Sequence, residues 1–123
     1  MQQLEIMLDA QAIAALRALQ VPGRPSILLR VMDLFASSAQ ALVAELEQAL
    51  ESGDLPTIMR AAHTLKSSSA NIGATELAAH SKRIEQCGRD GDLDGCRRHA
   101  EGFKPLFDAT LVAVAALRGA EAA

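Results

Sequence analysis

Residues Ser26 to Glu51 read SILLRVMDLFASSAQALVAELEQALE, and the spacing of their apolar side chains decides the fold class. Leu28, Met32, Phe35, Ala39, Leu42, Leu46 and Ala49 recur in alternating steps of four and three, which lays them along one stripe of a helix. A stripe held over that length predicts the seam of a helical bundle, because one helix cannot bury it alone. Gly and Pro punctuate the chain around it. Pro22-Gly23-Arg24-Pro25, Ser52-Gly53-Asp54, Asn71-Ile72-Gly73 and Gly88-Arg89-Asp90-Gly91 read as turns, since Gly tolerates positive φ and Pro cannot continue a helix. Five helical segments remain, with no connection long enough to be an interdomain linker.

The first runs from about Asp9, a suitable N-cap, to about Leu19, with Ile13, Leu16 and Leu19 at helical spacing. After the segment at Ser26 to Glu51, a third begins near Asp54 with Pro56 in its first turn, where the missing N–H costs least. Ile58, Ala62, Leu65, Ser69 and Ile72 mark its inward face. The fourth begins near Thr75, with Leu77, Ser81, Ile84 and Gly88 inward. The fifth begins near Asp92 and carries Cys96, Phe103, Phe107, Val114 and Leu117 to about Gly119, with Pro105 expected to kink or divide it. Short turns imply antiparallel neighbours. The expected architecture is all-α: one domain over residues 1–123, an up-down antiparallel four-helix bundle spanning about 26–118, with an additional N-terminal helix.

Composition agrees with an all-α reading and narrows the function. Half of the 123 residues are apolar, yet there are only three Phe and no Trp or Tyr, so Leu, Ala, Ile, Val and Met must fill the interior. Strand-type runs of Val, Ile and Thr are absent. A net charge of −3, with no basic tract, argues against sequence-independent binding to nucleic acid. No uninterrupted apolar run approaches the ~20 residues of a membrane span, and Met1-Gln2-Gln3-Leu4-Glu5 lacks the regions of a signal peptide. A cytoplasmic location without direct membrane insertion is expected. Cys87 and Cys96 are too few for a disulfide scaffold and read as reduced, structural thiols.

One segment carries chemistry: Ala61-Ala62-His63-Thr64-Leu65-Lys66-Ser67-Ser68-Ser69-Ala70-Asn71-Ile72-Gly73-Ala74. At about 100° per residue, His63 lies at the boundary between the Ala62/Leu65 face and water. Lys66 and Ser67 follow one turn on and neighbour it. A nearby ammonium disfavours the imidazolium and attracts phosphoryl oxygens, while Ser67, Ser68 and Ala70 leave room for an in-line donor. Across the next turn, Glu85 stands twelve residues past Gly73, and His63 ten before it. In antiparallel helices the two reach similar heights, so a Glu85 carboxylate accepting Nδ1–H would leave Nε2 free to attack.

This segment resembles the signature of histidine-containing phosphotransfer (HPt) domains of multistep phosphorelays, approximately A-H-x-L-K-G-[SA]-[SA]-x-[NS]-[ILV]-G-A, which here runs from Ala62 to Ala74. The likeness extends through Leu77, Arg83-Ile84-Glu85 and Gly88-Arg89-Asp90-Gly91-Asp92-Leu93, about half of the chain. It implies a phosphocarrier rather than an enzyme. His63 would take a phosphoryl group between the aspartates of two receiver domains, Lys66 would sit on the phosphate side, and Glu85 would hydrogen-bond the histidine. Ser67 departs from the family's usual Gly. Ser67, Ala70 and Lys82 are the residues expected to meet a partner. The partners implied are response-regulator receivers and a sensor histidine kinase. No intrinsic cofactor is expected, Mg²⁺ belonging to the receiver, and the carrier is expected to be a monomer. The alanine-rich finish Arg118-Gly119-Ala120-Glu121-Ala122-Ala123 fits the C-terminus of a hybrid sensor kinase, which would tether the domain to the inner membrane.

Three other readings compete. Cys96 with His99, and His80 with Cys87, supply zinc-type ligands, but their spacing matches no compact signature. A docking or dimerisation bundle explains the seams and leaves the His63 cluster as coincidence. An autonomous enzyme would need a Gly-rich nucleotide loop or a carboxylate cluster for Mg²⁺, and neither is evident.

Overall fold

The computed structural model describes residues 7–122, and among them the regular structure is entirely helical. Six helices follow in order: α1 (Ala10–Ala18), α2 (Ile27–Ser52), α3 (Leu55–Asn71), α4 (Thr75–Arg89), α5 (Leu93–Glu101) and α6 (Phe103–Ala122). Four of the starts are set by side chains satisfying orphan N–H groups. Asp9, Ser26, Asp54 and Asp92 accept from the backbone of Ala12, Leu29, Thr57 and Gly95. Pro56 occupies the first turn of α3 as expected.

α3 packs most extensively against α4; α2 lies against α3 and α6, and α5 and α6 close the fourth side of the bundle. The core runs along this axis through Met32, Leu46, Ile58, Leu65, Leu77, Ile84, Phe103 and Phe107. Helix α1 is an appendage on α2, tied to the far corner by Asp9 N donating to Gly73 O at 2.7 Å.

The structure corrects several expectations. In α2 the buried position after Ala39 is Val43, with Leu42 only half-buried. A straight helix turns at 3.6 residues, so a strict four-three alternation drifts off the seam. Leu19 is 62% exposed, because α1 ends at Ala18 and Leu19 becomes its C-cap. The division of the last segment falls at Gly102 and not at Pro105, which sits at the third position of α6, where no intrahelical N–H is required. Helix α6 runs past Gly119 to Ala122, where Glu121 pairs with Arg17 of α1 at 3.0 Å. Finally, α2 is long and apolar enough overall to cross a membrane by length and composition, although no uninterrupted apolar run reaches that length. The core helix of a bundle can have the same length and composition, and here Leu28, Met32, Phe35, Ala39, Val43, Leu46 and Ala49 are buried against its neighbours.

Candidate functional site

The α3–α4 hairpin builds the site. Gly73 turns the chain in a left-handed conformation (φ 77°), and Ala74 N returns to Ser69 O at 2.9 Å. Small residues on the facing stripes, Ala62, Ser69, Ser81 and Gly88, are buried and let the two helices approach closely. A Cβ on Gly88 would lie 2.7 Å from Met59 Cγ, so glycine is what admits the Met59 side chain there. This close hairpin brings Glu85 level with His63.

His63 leaves the buried pair Ala62 and Leu65 and points to solvent, its side chain 60% exposed. Its Nδ1 is 2.8 Å from Glu85 Oε2. An ionised carboxylate only accepts, so Nδ1 carries a proton, and in the neutral ring the lone pair is then on Nε2. Glu85 is the opposite of its partner, with a side chain only 5% exposed. Burial pushes its carboxyl upward, but hydrogen bonds from Lys66 and His63, and their charges, more than offset this and hold it below the ordinary glutamate value. Lys66 Nζ donates to Oε1 at 2.8 Å.

The expected trio therefore meets, with one change. Lys66 does not stand free beside the imidazole; it is bonded to Glu85. A fourth member was missed. Arg89 Nη2 donates to Glu85 Oε2 at 3.1 Å, sharing that oxygen with His63. The signal was present as an acid–base pair four residues apart on one helix. Ser67, Ala70 and Lys82 are all exposed. Val31, Leu34, Phe35 and Ser38 of α2, Ser68 and Asn71 of α3 and its C-cap Ile72 line a shallow groove, with Leu34 58% exposed.

Among the zinc-type residues, His80 Nδ1 is buried without a hydrogen-bond partner and Cys87 is a half-buried free thiol. Cys96 is fully buried with its Sγ donating to Ile84 O at 3.6 Å. Among the described residues no three His, Cys, Asp or Glu side chains gather as a metal-holding group.

Comparison with known proteins places this arrangement. The family model of the Hpt domain matches residues 30–119, and so takes in all four residues of the site. The chain belongs to the Hpt family. Histidine-containing phosphotransfer protein 4 of Arabidopsis thaliana is 30% identical over 91 residues, covering 72% of each chain. The crystal structure of the Pseudomonas aeruginosa histidine-containing phosphotransfer protein HptB superposes with a TM-score of 0.83 at 25% identity, over 92% of this chain and 95% of that one. Maize ZmHP2 gives 0.84 at 24% identity, over 95% and 86%, and bears on the fold alone. As an Hpt domain, the protein is a phosphocarrier of phosphorelay signalling that works with histidine kinases and response regulators.

Proposed function

We propose that His63 is the phosphoacceptor and that the group is carried on Nε2. The observation that carries this reading is the split environment of one imidazole: Nδ1 is held by a buried carboxylate while the ring stands in solvent. The donor is the aspartyl phosphate of a receiver. The Nε2 lone pair forms the P–N bond as the acyl-phosphate P–O bond breaks, and the aspartate leaves as carboxylate. No proton need leave Nε2. The ring gains positive charge as it gives up that pair, and Glu85, 2.8 Å away at Nδ1, stabilises it. Lys66 has its ammonium beside the same carboxylate and turns to the oxygens of the incoming group. Reversal of these steps delivers the group to a second receiver.

The receiver docks on the exposed surface of α2, α3 and α4 around His63, meeting Ser67, Ala70 and Lys82, with the Leu34 groove as its apolar edge. Such a contact is transient and buries on the order of 1,200 Å² or less. Ser67, where the signature has Gly, adds a hydroxyl to that surface and leaves the ring open. The domain holds no cofactor of its own in this scheme; Mg²⁺ sits in the receiver. It acts as a monomer in the cytoplasm.

Phosphoryl transfer from a phosphorylated receiver to the purified protein tests the reading, with His63→Gln as control. An acid-labile, base-stable label on the wild type alone is the expected result. Lys66→Ala should slow transfer with the fold intact. Equal labelling of His63→Gln would remove the phosphoacceptor from this site, and no label from several active receivers would favour a docking bundle instead.

A further inference from the structure

We propose that Arg89 is a positioning residue for phosphotransfer, acting through Glu85 to set the pH range over which His63 can accept the group. The proposal rests on His63 being the phosphoacceptor. It begins from an imbalance. Glu85 is a buried carboxylate that would, facing His63 alone, favour a protonated imidazole. An imidazolium has no lone pair at Nε2 and cannot attack phosphorus. Two cations counter that pull, Lys66 on Oε1 at 2.8 Å and Arg89 on Oε2 at 3.1 Å.

The two cations are not equivalent. Lys66 lies on α3 with the phosphoacceptor and has the incoming phosphoryl oxygens as a competing partner. Once it turns to them, Oε1 loses its donor. Arg89 comes from Glu85's own helix, one turn on, and bonds the very oxygen that accepts the His63 proton. It therefore remains on the carboxylate through the transfer, keeping Glu85 ionised and aimed while Lys66 is engaged elsewhere. Arginine suits this task because its charge is permanent, so its one bond to Oε2 brings a full positive charge at every pH of interest. Among the described residues, the charged groups bonded to Glu85 are His63 and Lys66 from α3 and Arg89 from α4; α2, α5 and α6 bring none to it.

His63 Nδ1 and Glu85 Oε2 lie 2.8 Å apart, so a charge placed on or beside that carboxylate acts on the imidazole as well. Removing a neighbouring cation makes that pair take up a proton more readily. Arg89→Gln should therefore move the acid limb of the phosphotransfer rate toward higher pH, lowering the rate on that limb roughly threefold while leaving the alkaline plateau much less affected. Arg89→Lys keeps the charge and should restore the limb.

The experiment is single-turnover transfer from one phosphorylated receiver across the pH range, for wild type, Arg89→Gln, Arg89→Lys and each change combined with Glu85→Gln, with receiver concentration varied. The expected result is a displaced limb in Arg89→Gln, its rescue by Lys, and little further effect of Arg89→Gln once Glu85 is a neutral amide. An Arg89→Gln profile superimposable on wild type overturns the proposal. So does an effect that survives in Glu85→Gln and appears as a higher half-saturating receiver concentration, since Arg89 would then be touching the receiver directly. Loss of signal in His63→Gln, run alongside, shows that the underlying phosphoacceptor reading holds whichever way Arg89 falls.

Discussion

Gly73→Ala should unlatch the N-terminal helix from the bundle, and the size of the effect follows from the corner it occupies. Gly73 has φ 77°, and a Cβ there would lie 2.8 Å from Asp9 N, 2.9 Å from Ala12 Cβ and 3.0 Å from Asp9 O. Two of these three are backbone atoms, so no side-chain rotation relieves the contact. The same residue's carbonyl accepts from Asp9 N at 2.7 Å, and moving α1 away to make room would break that bond and uncover Leu8 and Ile13. The left-handed backbone costs alanine about 1–2 kcal/mol, crowding adds about 1–3 kcal/mol, and restriction of the unfolded chain returns about 0.4–1 kcal/mol. Gly91 is the control. Its φ is 72° and a methyl added there would meet nothing within 4 Å, so Gly91→Ala carries the backbone cost without the crowding. The two variants should therefore differ by the crowding alone, about 1–3 kcal/mol, or roughly 3–15 °C in Tm for a chain of this length. Thermal and urea unfolding followed by far-UV circular dichroism measures this directly. Equal stability of Gly73→Ala and Gly91→Ala would refute the packing of α1 on this corner.

Leu65 is fully buried between His63 and Lys66 in sequence, so Leu65→Ala should cost about 2–5 kcal/mol in urea unfolding, whereas His63→Gln, on the exposed side, should leave the midpoint nearly unchanged. Glu85 is ionised in the folded protein below its ordinary value of 4.5, so the stability it contributes is complete above that pH and is lost as the pH falls through the lower folded value. Glu85→Gln should accordingly flatten the fall of Tm between about pH 5 and pH 3; parallel curves would count against the buried ion pair. Burial pushes the Cys96 thiol up to about 11, with Cys87 and Asp92 adding to it. A thiol reagent near neutral pH should thus modify the half-buried Cys87 first and reach Cys96 only on unfolding, and equal rates for both would contradict the packed position of Cys96.

Local pattern carried much of this protein. The apolar period of residues 26–51, the cap at Asp9, the helix starts near Ser26, Asp54 and Asp92, and the placement of His63 beside an apolar seam need only neighbours one turn away, and each was legible in the chain. Counting from the Gly73 corner even paired His63 with Glu85, because antiparallel helices of equal rise keep their heights matched. What the sequence alone left open was how far the facing helix encloses each of these groups and which charges it draws in. Glu85 reads as one acid among several on a polar helix; it is buried only because α3 lies close against α4 and covers it. Lys66 reads as a free charge beside the imidazole, yet it turns to Glu85, since an enclosed carboxylate attracts a cation more strongly than exposed water competes for it. Arg89 joins the site for the same reason. Periodicity along one helix is a property of the chain, whereas the charge balance around His63 exists only where two helices enclose the same carboxylate.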